Sequence, residues 1–363
     1  MSTTPLPDLQ TSVITPEIAK QRVNQFLDGF FRDSIDCSHG LDSNYGDLWR
    51  SMHQLSQAGG KRLRPYFLLL AYTAYGGNDV TAMVPIAGAQ ELLHLSLLIH
   101  DDIIDKDFIR YGQDNVSGIM RHKYRRLGAA DNADHFGNSA AILAGDLLIS
   151  GAYQAIVTSV LPDNKKMVAL AQLGNAVFLV GGGELLDTES SLLPWGQSQS
   201  LKIADFKTAR YSFVAPLVTG ALMADAGKPD IALLEELGIA AGIAFQLADD
   251  LLGIYGDSDI TGKSTIGDIR EGKRTYMMEQ ALLRATKADQ AILKKQLGNP
   301  KLTETQAKKV RDIVEKSGAK ADCEAKINLY ASQAIGILDS LSMNEAAKTA
   351  FRALIQKAAK RVK

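Results

Sequence analysis

Cysteine is nearly absent from this chain of 363 residues, which carries only Cys37 and Cys323. The two are far apart and fit no metal or redox spacing, which excludes a disulfide framework and leads us to expect a reduced, cytoplasmic setting. A dominant charge sign is also missing. Forty Lys and Arg face 41 Asp and Glu, for a net charge of −1, so no global basic field points to a nucleic-acid partner. Apolar stretches are interrupted before the roughly 18 residues a membrane span needs, so no transmembrane segment is expected. The start, MSTTPLPDLQTS, lacks a basic stretch followed by an apolar run, and no signal peptide is expected there. Sustained two-residue alternation bounded by Asn-Gly or Asp-Gly turns is lacking too, which argues against sheet. Proline is sparse at ten residues, which leaves room for long helices.

What is present is helical. Hydrophobic residues make up 46% and charged residues 22%, ample material for a core. Residues 1–15 read as a loose tail, with Pro5, Pro7 and Pro16 in or beside it. From Pro16 onward, apolar residues recur at three- and four-residue steps among Ala, Leu, Glu, Lys and Gln, as in Val84 to Ile104. No composition shift marks a linker, so residues 16–363 are expected to form one all-α domain. Breaks are expected at Gly59-Gly60, from Tyr111 to about Ser117, from Asp131 to Asn138, and around Leu193 to Gly196. Residues 255–275, rich in glycine and charge, read as an ordered functional loop.

Two acidic clusters carry the chemistry. Asp101 and Asp105 are four residues apart and share one helix face, with Asp102 about 100° round from Asp101. Such carboxylates repel each other beside an apolar helix, and divalent cations would relieve that cost. Oxygen donors without a cysteine or histidine cluster favour a hard ion, and Mg²⁺ usually shares its coordination with substrate phosphates. His100 adjoins the cluster and reads as structural. Asp249-Asp250 echoes the arrangement, following the apolar run through Phe245 and Gln246. Either cluster alone could be a solvated helix end, and together they argue for a site.

Basic groups accompany them. Gly59-Gly60-Lys61-Arg62-Leu63-Arg64-Pro65 follows a flexible glycine pair with three cations suited to an oxyanion. Lys207-Thr208 offers a charge and a hydroxyl. Lys263 and Lys273 sit in the glycine-rich loop after Asp249-Asp250. Read singly, each is an ordinary exposed basic stretch. Gly262-Lys263-Ser264 looks like the end of a P-loop, but the upstream glycine spacing and a preceding strand are both missing. Metal and cations together would neutralise a diphosphate as it departs.

Taken together, these residues resemble the all-trans polyprenyl diphosphate synthase family over roughly residues 50–280. The family's GGKR-x-RP is matched by Gly59 to Pro65, and its first aspartate motif by Asp101 to Asp105 with Arg110 after it. Lys207-Thr208, Phe245-Gln246 with Asp249-Asp250, and Lys263 and Lys273 follow in family order, in a pattern like the geranylgeranyl-type branch. The resemblance implies an all-α bundle around a central cavity, in a homodimer. It implies isopentenyl diphosphate and an allylic diphosphate as substrates, and Mg²⁺ as cofactor, three ions per site. Asp101, Asp105 and Asp249 would be the metal ligands, supported by Asp102 and Asp250. Arg110, Lys207, Lys263 and Lys273 would hold the allylic diphosphate, with Thr208 and Gln246 lining the reacting centre. Lys61, Arg64 and His94 would bind isopentenyl diphosphate.

Three departures stand out. Tyr111 replaces a family arginine, Gly253 replaces a third aspartate in the second motif, and Glu184 stands where many members carry glutamine. Gly181-Gly182-Gly183 reads equally as a helix break or a close approach of backbone and ligand. Leu93, Ser96 and Leu97 lie one turn before Asp101, where a wall would limit product length. None is aromatic, which predicts a product of about twenty carbons or longer. The competing readings are a terpene cyclase on a similar bundle and a non-catalytic regulatory subunit of a prenyl synthase. The cyclase reading lacks a use for Gly59 to Pro65. The subunit reading lacks an explanation for two retained aspartate pairs.

Overall fold

The computed structural model describes residues 13–126, 130–197, 199–256 and 266–360. Lys263 and most of the tail expected at 1–15 lie outside the described residues. Close backbone contacts group the chain into two compact units. Unit 1 holds residues 1–173, 216–231 and 342–347, and unit 2 holds 174–215, 232–341 and 348–363. Both are helical.

Unit 1 begins with α1 (Pro16–Leu41) and α2 (Ser43–Gln57). Thr15 accepts a hydrogen bond from the Ile18 amide and Pro16 follows it, a start that supplies a missing partner and a preset φ. Asp42 caps α2 by accepting from the Asn44 and Tyr45 amides. α3 (Leu63–Ala74) and α4 (Val80–Ile104) follow. α5 (Val116–Arg126) and α6 (Ala130–Val157) complete the large helices wholly within unit 1. α4 is apolar nearly all round, the mark of a helix surrounded by protein. Leu92, Leu93 and Ile99 are essentially inaccessible.

Between α4 and α5 lies a small antiparallel pair, β1 (Ile109–Arg110) and β2 (Gln113–Asp114), with Ile109 opposite Asp114. Tyr111 and Gly112 form its turn with φ of 54° and 75°. Positive φ at both central residues is the type I′ pattern, strained for tyrosine and free for glycine. The break expected from Tyr111 to Ser117 is therefore a hairpin that is already helical by Val116. The break expected from Asp131 to Asn138 is overturned, because α6 runs through it. Its polar residues sit on a long helix whose hydrogen bonds the sequence pattern did not reveal.

α7 (Asp163–Ser190), α9 (Ala215–Met223) and α10 (Lys228–Tyr255) contribute residues to both units. α7 continues through Gly181-Gly182-Gly183, so the helix break is overturned. Between α8 (Ser200–Ile203) and α9, residues Ala204–Val214 form a π-helix. Unit 2 also contains α11 (Gly267–Glu271), α12 (Tyr276–Arg284), α13 (Lys287–Gln296) and α14 (Glu304–Lys316). α15 (Ala319–Ser340) and most of α16 (Glu345–Lys360) complete it. Leu247, Leu251, Ile269, Met277 and Val310 belong to its core.

Among the described residues, four helices are long and apolar enough to cross a membrane by length and composition: α4, residues Asn132–Val157 of α6, α7 and α10. Uninterrupted runs were the wrong measure, since scattered polar residues still leave a helix apolar on average. In α4, 72% of the apolar window is buried against protein.

Candidate active site

In unit 1 the basic loop is built around Arg62. Gly59 and Gly60 have φ of 143° and 119°, and Arg62 itself is left-handed at 49°. Its guanidinium is buried and fully used. Nε donates to Asn24 at 2.9 Å, Nη1 to Glu91 at 2.6 Å, and Nη2 to the Ser56 carbonyl at 2.5 Å. Glu91 is buried as well. Arg62 is thus an anchor. It leaves Lys61 exposed and Arg64 half-buried on the first turn of α3. The sequence groups three cations here, of which the resemblance assigns Lys61 and Arg64 to substrate, and the structure gives Arg62 a structural role. The signal that could have separated them is Glu91, an acidic residue within the apolar run of α4.

His94 lies on α4 and is half-buried. Burial holds its imidazole well below the usual range, and the charges of Arg64, Arg110 and Arg62 push the same way. The positive charge near His94 therefore comes from Arg64, Arg110 and Arg62.

The first acidic cluster sits at the end of the same helix. The Asp105 amide donates to the Asp101 carbonyl at 2.8 Å, which keeps both residues on one face. Asp101 is half-buried, Asp105 is exposed and Asp102 is buried. Arg110 Nε donates to Asp102 at 2.8 Å, and Nη2 lies 3.5 Å from Asp101. Burial raises the Asp102 carboxyl, and the Arg110 guanidinium opposes that rise. Asp102 therefore braces the cluster, while Asp105 is open to solvent and Asp101 is only partly so. Asn115 was missed in the sequence. Its amide donates to the Asp107 carbonyl at 2.8 Å and its oxygen accepts from the Gly118 amide at 2.9 Å, tying the hairpin to α5. Tyr111, with its ring exposed, supplies no cation. His100 approaches the Ile142 carbonyl at 3.4 Å across Gly145, a structural role. Of the three expected wall residues, Leu93 and Ser96 are inaccessible and Leu97 is half-buried.

In unit 2, Lys207 and Thr208 sit in the π-helix, a form that often marks functional sites. Two glycines let neighbouring helices approach it. A Cβ on Gly183 would lie 2.4 Å from the Lys207 nitrogen, and one on Gly242 would lie 2.5 Å from Ala209. The group that approaches Gly183 is the Lys207 backbone and not a ligand. Lys207 reaches Glu184 at 2.9 Å and Asp187 at 2.6 Å. Glu184, the departure from glutamine, therefore has a charge partner. Thr208 donates to Gln246 at 2.6 Å, and Gln246 donates to Asp250 at 2.7 Å. Asp249 and Asp250 are half-buried. Burial pushes the Asp250 carboxyl up to about 8, with Asp268 and Asp249 adding repulsion against the opposing Gln246 bond and Lys273. Lys273 is paired with Asp268 at 3.2 Å and Glu271 at 2.9 Å. Asp268, absent from the sequence-based set, belongs to this cluster.

The donor chemistry fits magnesium. Both clusters offer oxygen only, and Asp268 and Asp249 stand close enough to Asp250 to repel it. Among the described residues, no three such side chains converge into a closed metal cage. An open pair of carboxylates is the usual protein share for Mg²⁺, with phosphate and water completing the shell.

Known proteins are similar to this chain over most of its length. The chain is 32% identical over 300 residues to a geranylgeranyl diphosphate synthase of Sulfolobus acidocaldarius, covering 80% of this chain and 85% of that one. It is 31% identical over 324 residues to a geranylfarnesyl diphosphate synthase of Aeropyrum pernix, covering 86% and 93%. Among solved structures, a Corynebacterium glutamicum geranylgeranyl pyrophosphate synthase, complexed with isoprenyl diphosphate and magnesium, matches with a TM-score of 0.87 at 29% identity. That match covers 95% of this chain and 98% of the other.

Replacing Arg62 with leucine should lower stability by about 3–5 kcal/mol, because Glu91 would be left as an uncompensated buried charge. Denaturant unfolding measures this, and an unchanged midpoint would remove Arg62 from its anchoring role.

The polyprenyl synthetase family pattern matches residues 47–315, and with those relatives it establishes that this chain belongs to that family.

Proposed function

We propose that this chain is a trans-prenyltransferase that condenses isopentenyl diphosphate with an allylic diphosphate, giving a linear diphosphate of about C20 or longer. The observation that carries the reading is the end of α4. There a buried apolar helix turns out Asp101 and Asp105 beside a cluster of Arg64, His94 and Arg110. Acid for metal and base for phosphate stand within one structural unit.

The proposed roles follow the family and the local geometry. Asp101, Asp105 and Asp249 would hold Mg²⁺, three ions in all, with Asp102 and Asp250 bracing them. Bound magnesium would neutralise the diphosphate as it leaves the allylic carbon. Arg110, Lys207, Lys263 and Lys273 would grip that diphosphate. Thr208 and Gln246 would line the reacting carbons, their orientation fixed by the Thr208–Gln246–Asp250 chain of hydrogen bonds. Lys61, Arg64 and the neutral His94 would orient isopentenyl diphosphate so that its double bond attacks the allylic carbon. The proton lost afterwards would pass to the departed diphosphate, so the aspartates need not act as general acids.

A homodimer is supported by large apolar side chains left exposed, notably Ile142 and Leu143 on α6 and Phe178 and Leu185 on α7. The free cysteines, Cys37 exposed and Cys323 buried, support a cytoplasmic location. The all-α region from residue 16 onward would act as one functional domain.

Wild-type protein with magnesium should release pyrophosphate only when both substrates are present, and Asp101→Ala should abolish release while leaving the fold intact by circular dichroism. Release from the allylic substrate alone would favour a cyclase, and an inert wild type would favour a regulatory subunit. For chain length, Leu97 is the outermost of the expected wall residues, whereas a ring at the inaccessible Ser96 would displace packed neighbours. Leu97→Phe should therefore shorten the product by at least one isoprene unit. An unchanged product would take Leu97 out of the wall.

A further inference from the structure

The loop after α7 is held to the start of α12 by a polar clamp that the chemistry above does not use. Arg274 and Glu279 form it. The Arg274 guanidinium lies over the Trp195 ring, 4.0 Å from its centroid, and Nη2 donates to the Ser191 carbonyl at 3.1 Å. The Gly196 amide donates to Glu279 at 2.9 Å. Gly196 is left-handed at φ 86°, and a Cβ there would lie 3.2 Å from a Leu283 methyl. Glycine is what lets that amide turn towards Glu279.

Stability alone is a poor reason for such a clamp. Glu279 is 4% exposed, and burial raises its carboxyl against the Gly196 bond and the Arg274 charge. Oε1 of Glu279 and Nη1 of Arg274 are buried without a hydrogen-bond partner among the described residues. Apolar side chains would hold a loop without that desolvation cost. What a stacked and forked guanidinium adds is a fixed orientation.

The clamp joins two arms of unit 2 that carry lysines proposed to grip diphosphate. On one arm Arg274 follows Lys273 directly, and Thr275 then caps α12 by accepting from the Met278 amide at 3.3 Å. On the other, the chain continues from the clamped loop into α8 and then the π-helix with Lys207 and Thr208. α8 packs against α12, and Trp195 and Leu201 pack against the core that holds Tyr276 and Met277. The arms also meet at Asp250, Thr208 through Gln246 and Lys273 through its charge. A shift of the loop would therefore move one lysine relative to the other.

We propose that Arg274 is a positioning residue for the allylic diphosphate, which fixes Lys273 against the arm carrying Lys207 by clamping Trp195 and Ser191. Glu279 secures the far end of the loop through Gly196. The inference rests on the functional reading above, which gives both lysines to that diphosphate. Lys61, Arg64 and His94, assigned there to isopentenyl diphosphate, belong to unit 1, so the effect is confined to the allylic substrate.

Calorimetric titration with inorganic pyrophosphate and magnesium reads the site without turnover. Wild type should bind, and failure at this stage would overturn the functional reading itself. Given that binding, Arg274→Lys keeps the charge but loses the stack and the fork. It should weaken binding about 3- to 30-fold, the span of a cation–π contact between exposed and desolvated settings. Trp195→Ala should do the same, while Trp195→Phe, which retains an aromatic face, should recover most of the affinity. In steady-state kinetics Arg274→Lys should raise the KM for farnesyl diphosphate and leave the KM for isopentenyl diphosphate unchanged. The proposal is overturned if folded Arg274→Lys or Trp195→Ala binds pyrophosphate as wild type does, even with a lowered unfolding temperature, since the clamp would then only stabilise. It is equally overturned if both KM values rise alike, or if Trp195→Phe binds no better than Trp195→Ala. Unfolding temperatures identify which proteins are folded. Should Trp195→Ala fail to fold, Arg274→Lys decides, and should Arg274→Lys fail, the Trp195 pair decides.

Discussion

Carboxylates crowded onto the ends of apolar helices repel one another, and the local structure is arranged around that repulsion. Burial withdraws the solvent that would screen it, so each cluster needs fixed partners. At the end of α4 the partner is Arg110, which spans Asp101 and Asp102. On α10 it is Gln246, which donates to Asp250. Burial still pushes the Asp250 carboxyl up, with Asp268 and Asp249 adding repulsion. The same logic explains Lys207, whose charge is met by Glu184 and Asp187.

Glycine provides the complementary device. At Gly183, Gly242 and Gly253 the missing Cβ is used for close approach of backbone or carboxylate, and α7 and α10 run straight through these positions. The approaching groups at the first two are parts of the π-helix, which turns Lys207 and Thr208 to opposite duties: one toward acidic partners and one toward Gln246. Loss of flexibility rather than gain is the outcome at all three.

The all-α architecture was legible because three- and four-residue periodicity is dense and proline is sparse. The family was legible, and with it a candidate site, because Asp101-Asp105, Asp249-Asp250 and the basic stretches occur in family order. What stayed hidden depends on groups meeting through space. Arg62 looked like Lys61 and Arg64 until its burial against Glu91 was seen. Asp268 is fifteen positions beyond Gly253 in sequence, and no local pattern couples them. The π-helix is invisible to helical periodicity because it differs by a single register step. The polar residues from Asp131 to Asn138 look like a loop, yet α6 absorbs them.

The central claim is that these groups together lengthen an isoprenoid chain. Mass spectrometry of the products formed from a panel of allylic diphosphates with isopentenyl diphosphate and magnesium tests it most directly. The account predicts linear diphosphates of about C20 or longer, with farnesyl diphosphate accepted as a primer. A cyclised hydrocarbon, or no extension of any primer, would contradict it.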